Sequence, residues 1–165
     1  MIQTKPIAHR VGIAEVVFSA GEEQLKATGL GSCVAVVLFD ESVSVAGMGH
    51  VMLPSSSIDQ SKVPAKPGKF ADTAVPYLCK KLQQQGAKHL KAKIAGGAQM
   101  FQFSNSNGQL NIGPRNVEAI KEQLKHCNIP LLNEHVGGHQ GRTVVFTPKN
   151  SVFTIKLFQK GTFDI

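Results

Sequence analysis

Apolar and polar positions along this chain fall into short blocks, and most blocks have the length and period of β-strands. Residues 12–20 (GIAEVVFSA) read as an opening strand, with GEEQLK after them as a polar turn or lead-in. Residues 27–33 (ATGLGSC) are punctuated by Gly29 and Gly31 and cannot form one regular element. The unbroken apolar run VAVVLF at 34–39 is the pattern of a strand buried on both faces. Asp40, Glu41 and Ser42 form a tight turn. Residues 43–53 return as a second strand containing Gly47, Gly49 and His50, and Pro54 ends it. The stretch 31–53 therefore predicts a buried hairpin with a glycine-rich entrance.

Residues 54–69, rich in Ser, Pro and Lys, predict a long surface loop of the kind often used for function. Phe70, Ala74, Leu78 and Leu82 then recur every four residues, with Val75 and Cys79 beside them: one apolar stripe of an amphipathic helix, closed by Gly86. Pro76 lies within that stripe and marks an irregular first turn or a later start. Residues 90–95 predict another strand, and 102–110 a polar, turn-rich segment. Pro114 suits the first turn of a second helix, with Val117, Ile120, Leu124 and Cys127 on its buried face. Strands at 129–136 and 143–147 flank a turn at 137–142. Alternation of Phe153, Ile155 and Leu157 with Thr154 and Lys156 marks a last strand. About seven strands and two or three helices, without strict βαβ alternation, predict an α+β fold: a three-layer sandwich of mixed β-sheets with helices on one side, as a single domain over 1–165.

Composition narrows the class. The 165 residues are 42% apolar, and no run reaches the length of a membrane span. MIQTKPIAHR has no sustained apolar segment of a secretory signal. The three cysteines, Cys33, Cys79 and Cys127, are odd in number and form no CxxC, which disfavours a disulfide framework and points to a reducing, cytoplasmic setting. The net charge of +7 is concentrated: residues 62–93 hold eight Lys against one Asp, and the remainder is neutral. Such a field suits an acidic partner, or is a solvated lysine-rich helix with its flanks. Scarce Arg and the lack of aromatics interleaved with the lysines argue against nucleic acid.

The residues with chemical potential are few. Cys33 follows Gly29, Gly31 and Ser32 and precedes the buried strand. The glycines allow a sharp corner and close approach to a ligand, and nearby N–H groups can serve an oxyanion. Alternatively, Cys33 is a small core residue. His50, seventeen residues on, changes that balance. A hairpin centred near 41 or 42 places positions 33 and 50 almost opposite each other, with Gly47 and Gly49 keeping bulk away from the imidazole. A cysteine activated by a histidine is a minimal covalent nucleophile system. The other polar groups carry less. Arg115 and Asn116 sit at a helix start, where capping and local pairing are expected. Arg142 ties a turn, and Gln99 either borders the pocket or is a plain turn residue. His135 and His139 have HxxxH spacing but are separated by Gly137 and Gly138, which is poor for zinc.

TGLGSCVAVVLFD at 28–40 followed by GMGHVMLP at 47–54 resembles the bacterial chemoreceptor glutamine deamidase family, CheD. GGAQMF at 96–101, IGPRN at 112–116 and GGHQGRTVVF at 137–146 resemble that family's later blocks, and the likeness runs from about residue 10 to 158. The resemblance implies a three-layer α/β sandwich and a cytoplasmic enzyme. It implies deamidation of selected glutamines on methyl-accepting chemotaxis receptors to glutamate, with release of ammonia. It also implies association with the adaptation phosphatase CheC. By position, the family's cysteine falls on Cys33 and its histidine on His50. The family's threonine, six residues before the cysteine, is replaced here by Ala27; either Thr28 takes its role or a backbone carbonyl orients His50. The implied chemistry is acyl transfer through a Cys33 thiolate and needs no metal or organic cofactor. Two other readings use the same residues: a catalytically weak regulatory binding protein of the adaptation system, and a receptor methylesterase or other cysteine hydrolase. The Lys62, Lys66 and Lys69 loop is the expected contact for an acidic receptor bundle.

Overall fold

A computed structural model describes residues 4–59, 65–99 and 111–165. In chain order the elements are β1 (Ala8–Arg10), β2 (Val16–Ala20), β3 (Gln24–Leu30), β4 (Val34–Asp40), β5 (Val45–Val51), a 3-10 turn (Ser56–Ile58), α1 (Ala71–Gln84), β6 (Lys91–Gly96), α2 (Ile112–His126), β7 (Leu131–Val136), β8 (Arg142–Thr147), β9 (Val152–Leu157) and β10 (Gly161–Asp164). One sheet has the order β1-β3-β8-β9-β10 and the other β2-β5-β4-β6-β7. Each contains one parallel pair, β1 with β3 and β6 with β7, so both are mixed.

The three expected layers are present, and β4 shows why. Every residue of β4 is buried. Val34, Val36 and Leu38 pack with Ala74, Leu78, Ile120 and Leu124 of the helices. Ala35, Val37 and Phe39 pack with Leu25, Ala27, Val144, Phe146, Phe153 and Ile155 of the other sheet. A central strand covered by helices on one side and by a sheet on the other has no polar face, hence the unbroken run VAVVLF. Both helices lie on the same side of the second sheet. α1 accommodates Pro76 in its second turn without a break, and α2 begins two residues before Pro114.

Three expectations need correction. The opening segment is two strands separated by a loop at 11–15, and only the first half of GEEQLK, residues 21–23, is turn, residues 24–26 being the start of β3. The chain also continues past β9 into an edge strand, β10, pairing Phe163 with Ile155. Third, the hairpin register pairs Val34 with Val51, Ala35 with His50 and Asp40 with Val45, around a turn at 41–44. His50 therefore faces Ala35, and Cys33 lies just outside the ladder, diagonal to His50. Because side chains alternate with period two, that offset of two residues keeps both on the face toward the first sheet.

The same register corrects the role of the strand glycines. Gly47 and Gly49 face the helices, opposite to His50. A Cβ on Gly47 would come within 2.7 Å of Leu78 and 2.8 Å of Phe18. These glycines let α1 approach the sheet and do not clear space around the imidazole.

Candidate active site

Cys33 sits in the crossing from β3, in one sheet, to β4, in the other, and its backbone is held from behind. The carbonyls of Gly31, Ser32 and Cys33 accept hydrogen bonds from Ala98 N (2.8 Å), Asn116 Nδ2 (3.0 Å) and Gly97 N (2.9 Å) respectively. The Gly96–Gly97 backbone comes so near that a Cβ on Gly96 would lie 2.3 Å from the Cys33 oxygen. With φ of +118° and +68°, both residues also occupy conformations that favour glycine. The cysteine is half-buried against the inter-sheet cluster of Ala35, Val37 and Ala95. Burial pushes its thiol pKa up, partly opposed by a hydrogen bond to the sulfur from its own backbone N–H.

His50 is 1% exposed. Residues 11–15 wrap it: Ala14 N donates to His50 O (2.9 Å), and His50 N donates to Glu15 O (3.0 Å). The ring Nδ1 lies 3.1 Å from the carbonyl oxygen of Val11. A carbonyl can only accept, so Nδ1 carries the proton and Nε2 presents a lone pair. Nε2 is buried and has no hydrogen-bond partner among the described residues. Burial lowers the imidazole pKa, outweighing the opposite pull of the Val11 hydrogen bond and of the Glu15 charge. Burial thus favours the neutral form of both the Cys33 thiol and the His50 imidazole, with Nδ1 protonated and the Nε2 lone pair without a partner among the described residues.

Thr28 is placed differently. Ala27 is fully buried in the inter-sheet cluster with Cys33, whereas Thr28 is exposed, in the irregularity of β3 between Ala27 and Leu30. Among the described residues no hydrogen bond joins Thr28 to His50. The group on Nδ1 is instead a backbone carbonyl, the other arrangement compatible with Ala27.

The capping or local pairing expected of Asn116 is not what it does. It is fully buried, and Nδ2 donates both to Ser32 O and to Met52 O (3.1 Å). A polar residue inside the apolar face of Val117, Ile120 and Leu124 was the available signal. Arg142 does tie a turn, from within: it donates to His135 Nδ1 (2.9 Å), Gly96 O (3.2 Å) and Gly137 O (2.7 Å). It thereby braces the strand end whose glycines hold Cys33. Gln99 N donates to Gly138 O (2.8 Å), and His139 Nδ1 lies 2.8 Å from Gln99 O.

The lysine field is less free than its sequence suggests. Lys66 pairs with Glu15 (3.5 Å), Lys69 with Asp59 (2.7 Å) and Lys91 with Glu41 (3.5 Å). Lys93 points inward, donating to Ser151 O (2.7 Å) and Ile165 O (2.9 Å). Lys62, Met100 and Phe101 of the GGAQMF block, and the segment 102–110 lie outside the described residues. No described helix is long and apolar enough to cross a membrane.

Comparison with known proteins identifies the family. A family profile described as CheD chemotactic sensory transduction matches residues 52–157, downstream of both Cys33 and His50. Whole-chain likeness extends further. A protein of Halalkalibacterium halodurans named chemoreceptor glutamine deamidase CheD is 45% identical over 158 residues, covering 94% of this chain and 97% of that relative. The Bacillus subtilis protein of the same name is 42% identical over 163 residues, covering 98% of each chain. A Geobacillus kaustophilus protein named probable chemoreceptor glutamine deamidase CheD is 47% identical over 152 residues, 90% of this chain and 92% of the relative. With a family profile spanning well over half its length and relatives this similar from end to end, the chain belongs to the CheD family.

Proposed function

We propose that this protein deamidates glutamine side chains on the helices of methyl-accepting chemotaxis receptors, with Cys33 as nucleophile and His50 as its base. The names of its relatives support the substrate class. The observation that carries the chemistry is the shared inter-sheet face of Cys33 and His50, with Nδ1 tied to Val11 and Nε2 open.

The pair rests neutral, so the thiol proton passes to His50 Nε2 as sulfur attacks the side-chain amide carbon. A C–S bond forms and the carbonyl oxygen becomes an oxyanion, for which N–H groups of the 31–33 corner are the nearest candidates. The imidazolium gives its proton to the departing nitrogen as the C–N bond breaks, releasing ammonia and leaving a thioester. A water then loses a proton to Nε2 and attacks the thioester. Collapse releases glutamate and returns the proton to sulfur. The Val11 carbonyl holds the tautomer throughout and steadies the imidazolium. No step requires a metal or an organic cofactor.

The test is intact-mass analysis of receptor helices incubated with the protein. Each converted site adds the mass difference of one amide-to-acid exchange, and ammonia appears in equal amount. Receptor helices of unchanged mass would overturn the assignment, and loss of a methyl group instead would favour the esterase reading. The reading also places the protein in the cytoplasm, where those receptor segments lie, and includes the phosphatase CheC as a binding partner. Co-elution of the two purified proteins tests the latter.

A further inference from the structure

Beyond the Val34–Val51 pair the two central strands part. Met52 N turns to the carbonyl of Lys69, and the Gly31 and Cys33 carbonyls turn to Ala98 and Gly97. One side chain still spans the opening: Asn116, reaching from α2 to Ser32 O and Met52 O. Ser32 precedes the nucleophile and Met52 follows His50 by two residues. Both partners are carbonyls, so the amide orientation is not free. The NH2 group must face them, which sends Oδ1 elsewhere. Oδ1 is buried and has no partner among the described residues.

This is a poor way to fill a helix face. The residues packing around this turn of α2 are Val117 and Ile120, and Gly113 lies against the Gly97 and Ala98 carbonyls. An apolar side chain would complete that face without burying an unpartnered Oδ1, but it would take from Ser32 O and Met52 O the donors that Asn116 gives them. What Asn116 supplies is two donors, each aimed at one half of the Cys33–His50 pair. We propose that Asn116 is a positioning residue for the deamidation, fixing the Cys33 corner relative to the strand that carries His50. The inference rests on the Cys33–His50 reading.

The test compares Asn116→Leu, which keeps bulk and removes both donors, with Leu124→Ala, a cavity lower on the same helix. Three quantities are measured: Tm, kcat and KM for receptor helices, and the pH profile of Cys33 alkylation by iodoacetamide. Asn116→Leu should lower kcat on the order of 100-fold with KM little changed, the expected cost of a displaced reacting group. It should also flatten the His50-dependent inflection of the alkylation profile. Leu124→Ala should lose as much Tm or more while keeping kcat and the inflection. If Asn116→Leu fails to fold, Asn116→Ser, which retains one donor, should fall between it and wild type in kcat. Wild-type kcat in the Asn116 variants overturns the proposal, as does an equal fall in Leu124→Ala. If wild-type protein deamidates nothing, the functional reading has failed, and the alkylation profiles alone decide: a retained inflection in Asn116→Leu overturns the positioning role, and its loss upholds it.

Discussion

The two ends of the β4–β5 hairpin treat buried polar groups in opposite ways. At the turn end, Asp40 accepts hydrogen bonds from Ser42 N (2.9 Å) and Oγ (2.6 Å) through one oxygen and from Lys88 N (2.8 Å) and His89 N (2.9 Å) through the other. Lys93, nearby, gives its ammonium to two main-chain carbonyls. At the open end, His50 Nε2 and Asn116 Oδ1 are buried with no partner among the described residues. Polar groups inside a protein are normally satisfied, so the exceptions are informative. The turn end is fastened through Asp40 and Lys93, although Ser19 Oγ, on the strand beside Ala46, is also buried without a partner among the described residues; at the open end the unpartnered atoms include a histidine lone pair.

The largest expected effect breaks the open end. Cys33→Ala or His50→Ala should reduce deamidation by on the order of 10³-fold or more, because a covalent dyad fails when either member is lost. Neither change should abolish the cooperative thermal transition. Retained turnover in Cys33→Ala would refute the covalent mechanism.

Next in size is a pH effect. Burial lowers the His50 pKa, so Nε2 stays unprotonated and competent down through the ordinary histidine range. Burial raises the Cys33 pKa, so the sulfur keeps its proton at neutral pH. Deamidation should therefore hold level below the usual histidine midpoint before falling. Cys33 alkylation should keep climbing above the usual thiol midpoint. A plateau of alkylation near neutral pH would instead mean a preformed thiolate–imidazolium pair.

Breaking the turn end should cost stability and spare chemistry. Burial alone would raise the Asp40 pKa, but hydrogen bonds from Ser42, His89 and Lys88 more than offset it and hold the carboxyl far below its ordinary value. A depressed carboxylate stabilises the fold above its unfolded pKa and loses that contribution as pH falls toward the folded one. Asp40→Ala should therefore lower unfolding stability by about 2 kcal/mol at neutral pH. The deficit should narrow in acid, and kcat per folded molecule should not change. Denaturant melts at several pH values check this.

The smallest effects are expected outside both ends. Thr28→Val should leave the rate near wild type, since Thr28 is exposed and Val11 serves Nδ1; a clear loss would restore the threonine to the mechanism. Replacing Lys62, Lys66 and Lys69 with Gln should raise KM for receptor helices modestly and salt-dependently, because two of these charges are already paired with acids near the surface. Cys33 alkylation should not change. Kinetics indifferent to both salt and the triple replacement would move receptor recognition elsewhere.

What could be read from sequence followed from periodicity. The run 34–39 and the four-residue stripe of α1 announce their burial because each covers a whole element. Short edge strands such as β1 and β10 hold three or four residues and show no pattern. Cys33 and His50 were legible as chemistry, but their offset was not, since it depends on whether the turn ends at Ser42 or Ser44. That Gly47 and Gly49 face away from His50 was legible, since neighbours along a strand alternate faces wherever the turn ends. Asn116 stayed hidden for another reason: its two acceptors lie 84 and 64 positions away in the chain. Lys93 reads as surface charge until the main-chain carbonyls of Ser151 and Ile165 arrive to receive it.

The crossing at Cys33 also has a consequence for folding order. β3, just before the corner, pairs with β8, matching Leu25 to Phe146 and Leu30 to Arg142. β4, just after it, pairs with the neighbouring β5 and with β6. The second half of the corner can thus be set by local contacts, while the first must await strands more than a hundred residues downstream. Pairings so distant in sequence are slow to form, since a long loop must close before they are rewarded. On a ribosome, the Cys33 corner would gain the β4–β5 pairing first, the bonds from Gly97, Ala98 and Asn116 next, and its β3 side only when β8 emerges. Its reactive geometry would form as one of the last events of folding.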